Sequence, residues 1–164
     1  MLFLFKFFFC GIISSLLFPP FFLTPIGFIA FPLLYYFLTD KNYICLGSKF
    51  HFFSGLFYGL GFTLIILIWI REPFYTSDLT SKYAFISYLL IIYCSLFFAL
   101  AFLILKFFEN LFVKFIMLPS VFILVEIICS KLSYGFPWIS YSLIHSANSF
   151  GLAMIYYLGT LGLS

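Results

Sequence analysis

The chain has 164 residues, of which 65% are hydrophobic, 26% aromatic and only 8% charged, and Phe alone contributes 28. A soluble domain carries roughly 25% charged residues, so this chain cannot cover a water-facing surface with polar side chains. With a mean hydropathy of +1.23 and a net charge of only +3, a soluble enzyme, a secreted disulfide scaffold, a nucleic-acid binder and a disordered region are all excluded. What is left is an integral membrane protein.

Lys6 precedes an apolar stretch, as in a secretory signal, but no small-x-small cleavage site follows before Pro19. The stretch reads as an anchor helix. Phe7 to Thr39 is uncharged and too long for one span of about 20 residues. Pro19-Pro20 removes two backbone donors and restricts Phe18. The reading is therefore a hairpin of two short helices, 2–18 and 22–38, with one long kinked helix as the alternative.

Further along, the uncharged runs are cleaner. Phe52–Ile70 lies between His51 and Arg71 and predicts a helix over 52–70. Tyr83–Leu105 lies between Lys82 and Lys106 and predicts one over 83–105. Phe115–Ser130 predicts a helix over 115–130 with one carboxylate, Glu126, inside it. A last apolar run predicts a helix over 148–164, cut short where the chain stops. The expected fold is all-α, a polytopic integral membrane protein of about five to six transmembrane helices in a single domain, 1–164.

Orientation follows from the basic residues. With the N-terminus cytoplasmic, Lys6, Lys41, Lys49, Lys106 and Lys114 lie inside, against Arg71, Lys82 and Lys131 outside. This places the loop from Lys131 to His145 on the outer face.

Glu126 is the first candidate for function, because an ionisable group within an apolar helix is expensive and faces the bundle interior. It reads either as a proton or substrate contact or as a carboxylate hydrogen-bonded to a neighbouring element. Gly55 and Gly59, with Gly61 following, permit close helix approach and read as packing. Trp69 and Trp138 sit at segment ends, where aromatic belts lie. His51 and His145 read as solvated loop residues. Cys10, Cys45, Cys94 and Cys129 form no CxxC pair and have no His at metal-ligand spacing, so they read as inert thiols. Phosphate-loop, HExxH and G-x-S-x-G motifs are absent from the sequence. No cofactor or metal is expected.

Gly135-Phe136-Pro137-Trp138 is a turn followed by an interfacial anchor. Glycine frees the backbone, proline biases Phe136 away from helix, and Trp138 suits the interface. Before it come Leu17-Phe18-Pro19-Pro20 and Pro25, then Gly55, Gly59, Gly61 and Trp69, then Pro119 and Glu126; Gly162-Leu163-Ser164 follows. In this order the features resemble the membrane part of the bacterial apolipoprotein N-acyltransferase family, over essentially the whole chain. The tetrad with Glu126 upstream is the specific part. Cys129 stands where the family usually has Arg, and Ser142-Leu143 where a Gly-Tyr pair is common.

The resemblance implies transfer of an acyl chain from phospholipid to the N-terminal diacylglyceryl-cysteine of lipoproteins, in the bacterial inner membrane. It also implies that the catalytic Glu-Lys-Cys triad belongs to a nitrilase-like domain beyond residue 164, so no residue here is expected to be catalytic. The expected role is to scaffold that domain and give lipid access. The expected partners are phospholipid and lipoprotein acyl chains, and no nucleic acid. Glu126, Gly135, Phe136, Pro137 and Trp138 would shape the loop or lipid groove. A small stand-alone membrane protein, such as a transporter or assembly subunit, or an inactive truncated product, are the alternatives.

Overall fold

The computed structural model describes residues 2–132 and 140–163, and among them every regular element is helical. Helix α1 (Leu2–Ser15) ends just before the proline pair, and α2 (Gly27–Thr39) begins after a 3₁₀ turn at Thr24–Ile26. The reversal between them is closed by a hydrogen bond from Leu23 N–H to the Leu16 carbonyl, 3.0 Å. Asp40 then caps the short α3 (Lys41–Ile44), its carboxylate accepting from Asn42 N–H at 2.8 Å.

Helix α4 (Ser48–Leu67) runs on into a 3₁₀ stretch at Ile68–Thr76. A one-turn helix, α5 (Asp78–Ser81), leads to α6 (Ile86–Lys106), and α7 (Leu111–Leu132) returns antiparallel to it. Asn110 caps α7, its side-chain oxygen accepting from Phe112 and Val113 N–H at 2.9 and 3.3 Å. After a second 3₁₀ segment, Tyr141–His145, comes α8 (Ser149–Leu163). Three helical stretches, Ser48–Thr76, Ile86–Lys106 and Leu111–Leu132, are long and apolar enough to cross a membrane, and Phe3–Ser15 and Thr24–Thr39 are shorter apolar helices.

Glycine sets the packing of the central helix. A Cβ on Gly55 would meet the Phe98 carbonyl at 2.5 Å, and one on Gly59 would meet Ser95 Cα at 2.8 Å, so this face of α4 lies directly on α6. Gly61, grouped with these two from the sequence, points elsewhere. Its added Cβ would strike the Phe8 carbonyl, and one on Gly11 would strike the Tyr58 carbonyl. Two residues turn a helix through about 200°, which carries Gly61 round to α1. Helix α4 is thus clasped on two sides. Between α4 and α6, the buried Thr63 and Ser95 hydroxyls lie 2.9 Å apart, and each also lies within bonding distance of a carbonyl one turn back in its own helix, so one donates across the contact and the other to its carbonyl.

The interior is aromatic. Phe7, Tyr58, Phe62, Phe98 and Phe102 are fully buried and pack in edge-on and tilted pairs. The exterior is apolar too: Phe28, Phe107, Tyr156 and Tyr157 are each more than 80% exposed, as lipid-facing side chains must be.

Two helices extend beyond the uncharged runs that predicted them. The helix predicted over 52–70 begins at Ser48, and the one predicted over 115–130 spans Leu111–Leu132. Lys49, His51, Lys114 and Lys131 therefore lie inside helices; a long basic side chain can follow an apolar surface and keep its charge at the helix end. His51 is not a solvated loop residue. It is 2% exposed, with its ring packed at a tilt against Tyr43, centroids 4.3 Å apart.

Candidate functional site

Alternating helix directions collect the polar groups at two ends of the bundle. One end carries Glu126 and is built from the last turns of α1, α4 and α7. Glu126 is 6% exposed, and both carboxylate oxygens are engaged. Ser140 Oγ donates to Oε1 at 2.8 Å, and the Tyr141 backbone N–H donates to Oε2 at 3.1 Å. Because the Ser140 hydroxyl proton is spent on Glu126, Ser142, 2.7 Å from Ser140, is the donor in the next contact. The result is a directed chain of buried groups, Ser142 to Ser140 to Glu126.

The same segment is held by its ring. Tyr141 stacks nearly parallel on Phe122 of α7 (5.7 Å, 4°) and on Phe62 of α4 (6.1 Å, 20°), and meets Phe18 edge-on at 5.5 Å. Its hydroxyl is buried with no hydrogen-bond partner among the described residues. Burial keeps the phenol pKa well above its ordinary value, so the group stays protonated.

Next to Tyr141 lies a half-open cavity of about 60 Å³, lined by Phe31 of α2, by Pro119, Phe122 and Ile123 of α7, and by Tyr141 itself. Helices α2 and α7 touch at the opposite end, where the Tyr35 hydroxyl donates to the Leu111 carbonyl at 3.0 Å and Tyr35 packs edge-on against Phe115. Towards Glu126 they leave this apolar gap. Pro119, within α7, forms part of its wall. Hydrocarbon suits such a lining.

The sequence candidates divide as follows. Glu126 sits at the centre of the site, joined to residues 140–142. Gly55 and Gly59 lie on the α4–α6 contact, away from it. Gly135, Phe136, Pro137 and Trp138 fall outside the described residues. Trp69 is 45% exposed in the 3₁₀ stretch after α4. His145 is exposed, and its carbonyl packs against Gly151 at the start of α8. Cys10, Cys94 and Cys129 are buried in helices and Cys45 is exposed. Among the described residues no group of His, Cys, Asp and Glu could hold a metal ion. Sequence reasoning missed Ser140, Tyr141 and Ser142. The one signal for them was a polar-aromatic triplet just after a turn motif, and that is too common to single out.

An apolar exterior, helices long enough to cross a bilayer and an intramembrane carboxylate fastening a connecting segment define a polytopic helical membrane protein. The chain belongs to the apolipoprotein N-acyltransferase family, whose N-terminal domain matches residues 10–164. No curated protein and no solved structure matches it.

Proposed function

We infer that this chain is the membrane base for N-acylation of lipoproteins in a bacterial inner membrane. In that reaction the acyl carbonyl carbon forms an amide with the N-terminal amine of a diacylglyceryl-cysteine as its ester C–O bond to the phospholipid breaks, and the departing lysophospholipid oxygen takes up the proton that the amine loses. The chain's part is positional. It presents the connection between α7 and α8 at the outer face, where the family's catalytic domain would sit, and offers lipid a lateral apolar entry between α2 and α7.

The observation that carries this reading is the clamp of Glu126 on Ser140 and Tyr141. It fixes one foot of the connection holding Gly135–Trp138, directly beside the apolar cavity. Glu126 and the tetrad act as formers of loop and groove, and the reacting groups come from elsewhere.

The test is made in the native host, by replacing Glu126→Gln or Trp138→Ala at the chromosomal locus. N-terminal lipopeptides are then read by mass spectrometry. The expected result is a build-up of diacylated lipoprotein at the expense of the N-acylated form. Unchanged N-acylation in both strains would sink the positional role.

A further inference from the structure

Helix α4 has 20 residues and α6 has 21, so at a rise of 1.5 Å per residue each is about 30 Å long, the thickness of a bilayer's hydrocarbon core. They lie side by side through Gly55 and Gly59, and the connection between them, residues 68–85, starts and finishes at the Glu126 end of the bundle. Arg71 and Glu72 follow close after α4, so the hydrocarbon ends there and both ends of the connection stand at headgroup level. A reversal between antiparallel helices needs only about 2–8 residues. This connection is longer, and it is folded as the 3₁₀ stretch Ile68–Thr76, the one-turn α5 and a closing turn.

Near its two ends the connection is tied to the bundle, where Ile70 packs against the core and Ala84 is buried. Elsewhere it shows apolar groups outward: Trp69, Tyr75, Leu79, Tyr83 and Phe85 are exposed, Leu79 at 78%. So many large apolar side chains do not suit a loop bathed in water. Three of them are Trp or Tyr, whose apolar body and polar tip fit the headgroup boundary. The polar groups agree. Thr76 Oγ1 donates to the Pro73 carbonyl at 2.7 Å, Thr80 Oγ1 to the Phe74 carbonyl at 2.9 Å and Ser81 Oγ to the Asp78 carbonyl at 2.9 Å. These hydroxyls are spent on the connection's own backbone, which lowers the cost of taking it out of water. Arg71 pairs with Glu72 at 3.1 Å, and the Lys82 ammonium lies over the Tyr83 ring at 5.3 Å. Arg71 and Lys82 balance Glu72 and Asp78, so the connection carries no net charge.

We propose that residues 68–85 lie in the plane of the membrane at the Glu126 end, with Trp69, Tyr75, Leu79, Tyr83 and Phe85 in the boundary between lipid headgroups and acyl chains. The partner of this apolar surface is the bilayer itself, continuous with the lipid around the exposed Ile86 and Leu89 at the start of α6. With no net charge to attract anionic lipid, apolar burial drives the contact, and zwitterionic lipid serves as well. The segment sets the depth at which the Glu126 end meets the membrane surface, whatever reaction the chain serves.

The experiment reads the depth of a single tryptophan in the full chain, reconstituted in phosphatidylcholine vesicles. Trp69 and Trp138 are the two tryptophans of the chain. Trp138→Phe leaves Trp69 as the reference at the end of α4, and Trp69→Phe/Trp138→Phe/Leu79→Trp moves the reporter to the middle of the connection. Phosphatidylcholine brominated near the headgroup end of its acyl chains should quench both reporters, and lipid brominated near the methyl end should quench them less. Aqueous iodide should leave most of the emission of both, and adding phosphatidylglycerol should change neither result. Should the Leu79→Trp chain not fold, Tyr75→Trp in the same background is the second reporter, also at an exposed position. Quenching of the mid-connection reporter by iodide and not by brominated lipid would overturn the proposal and make the connection a solvated loop. Shielding from both quenchers would overturn it too, and assign the surface to a protein contact. Lipid quenching that appears only with phosphatidylglycerol would overturn apolar burial as its cause.

Discussion

Glu126 accepts the backbone N–H of Tyr141 at 3.1 Å while Ser140 occupies its other oxygen, so one buried carboxylate terminates the connection leading into the 141–145 segment. A carboxylate provides acceptors only, and here both neighbours are donors. The match explains how a charged side chain persists at 6% exposure in an apolar helix. It also makes the charge, and not merely the shape, of residue 126 the quantity to test.

Glu126→Gln keeps the volume but removes the charge: its carbonyl oxygen can still accept from Tyr141 N–H, while its amide must donate to Ser140, whose hydroxyl has to reverse from donor to acceptor. Hydrogen bonds to a charged group contribute about 1.5–3 kcal/mol each and neutral ones about 0.5–1.5, so exchanging both should lower stability by about 2 kcal/mol. Hydrogen exchange in detergent should show faster exchange of the Tyr141 amide, with the Thr63–Ser95 region of the α4–α6 contact unchanged. Unaltered protection at Tyr141 would mean that the clamp does not hold the segment.

Tyr141 separates ring from hydroxyl. The hydroxyl is buried without a partner, whereas the ring packs on Phe18, Phe62 and Phe122. Tyr141→Phe should therefore be neutral or stabilising, because an unsatisfied buried polar group costs about 1–3 kcal/mol. Tyr141→Ala should destabilise by about 3–5 kcal/mol through the cavity it leaves. Thermal melts of the purified chain decide the matter, and a large loss in Tyr141→Phe would reveal a partner for the hydroxyl.

What was legible in the sequence followed from bulk properties and from residues that violate a local rule. The shortage of charge required an apolar exterior and hence a helical membrane fold. Glu126 stood out because a carboxylate in an apolar run must have partners. Its partners did not stand out. Tyr141 contributes a backbone N–H, which every non-proline residue has, and Ser140 contributes a hydroxyl no different in sequence from Ser130 or Ser133. His51 was misread because a charged flank was taken as the end of the membrane segment, whereas α4 begins three residues earlier and turns the ring inward onto Tyr43. Gly11 gave no signal alone. Its importance appears only when α4 brings the Tyr58 carbonyl against it.

The polar pair within the α4–α6 contact should contribute modestly. Thr63 Oγ1 and Ser95 Oγ are 2.9 Å apart, but each also lies within bonding distance of a carbonyl of its own helix. Removing one partner thus leaves the other satisfied. A double-mutant cycle with Thr63→Val and Ser95→Ala should give a coupling of about 0.6 kcal/mol, the average for hydrogen bonds between membrane helices. A coupling above about 2 kcal/mol would show that the pair, and not the glycine contact beside it, dominates the interface.

The glycine contacts make the sharper prediction, because side-chain movement cannot relieve a clash with backbone. Gly59→Ala would place a methyl 2.8 Å from Ser95 Cα, and Gly55→Ala would place one 2.5 Å from the Phe98 carbonyl. Each should push α4 and α6 apart and cost about 1–3 kcal/mol. Gly61→Ala and Gly11→Ala should disturb the α1–α4 contact instead, leaving the α4–α6 face intact. Gly47→Ala is the control, since a Cβ there meets nothing within 4 Å. Cysteine cross-linking across each helix pair, with a melt of each variant, distinguishes the faces. If Gly61→Ala loosened α4 from α6 as much as Gly59→Ala does, the two-sided clasp on α4 would be wrong.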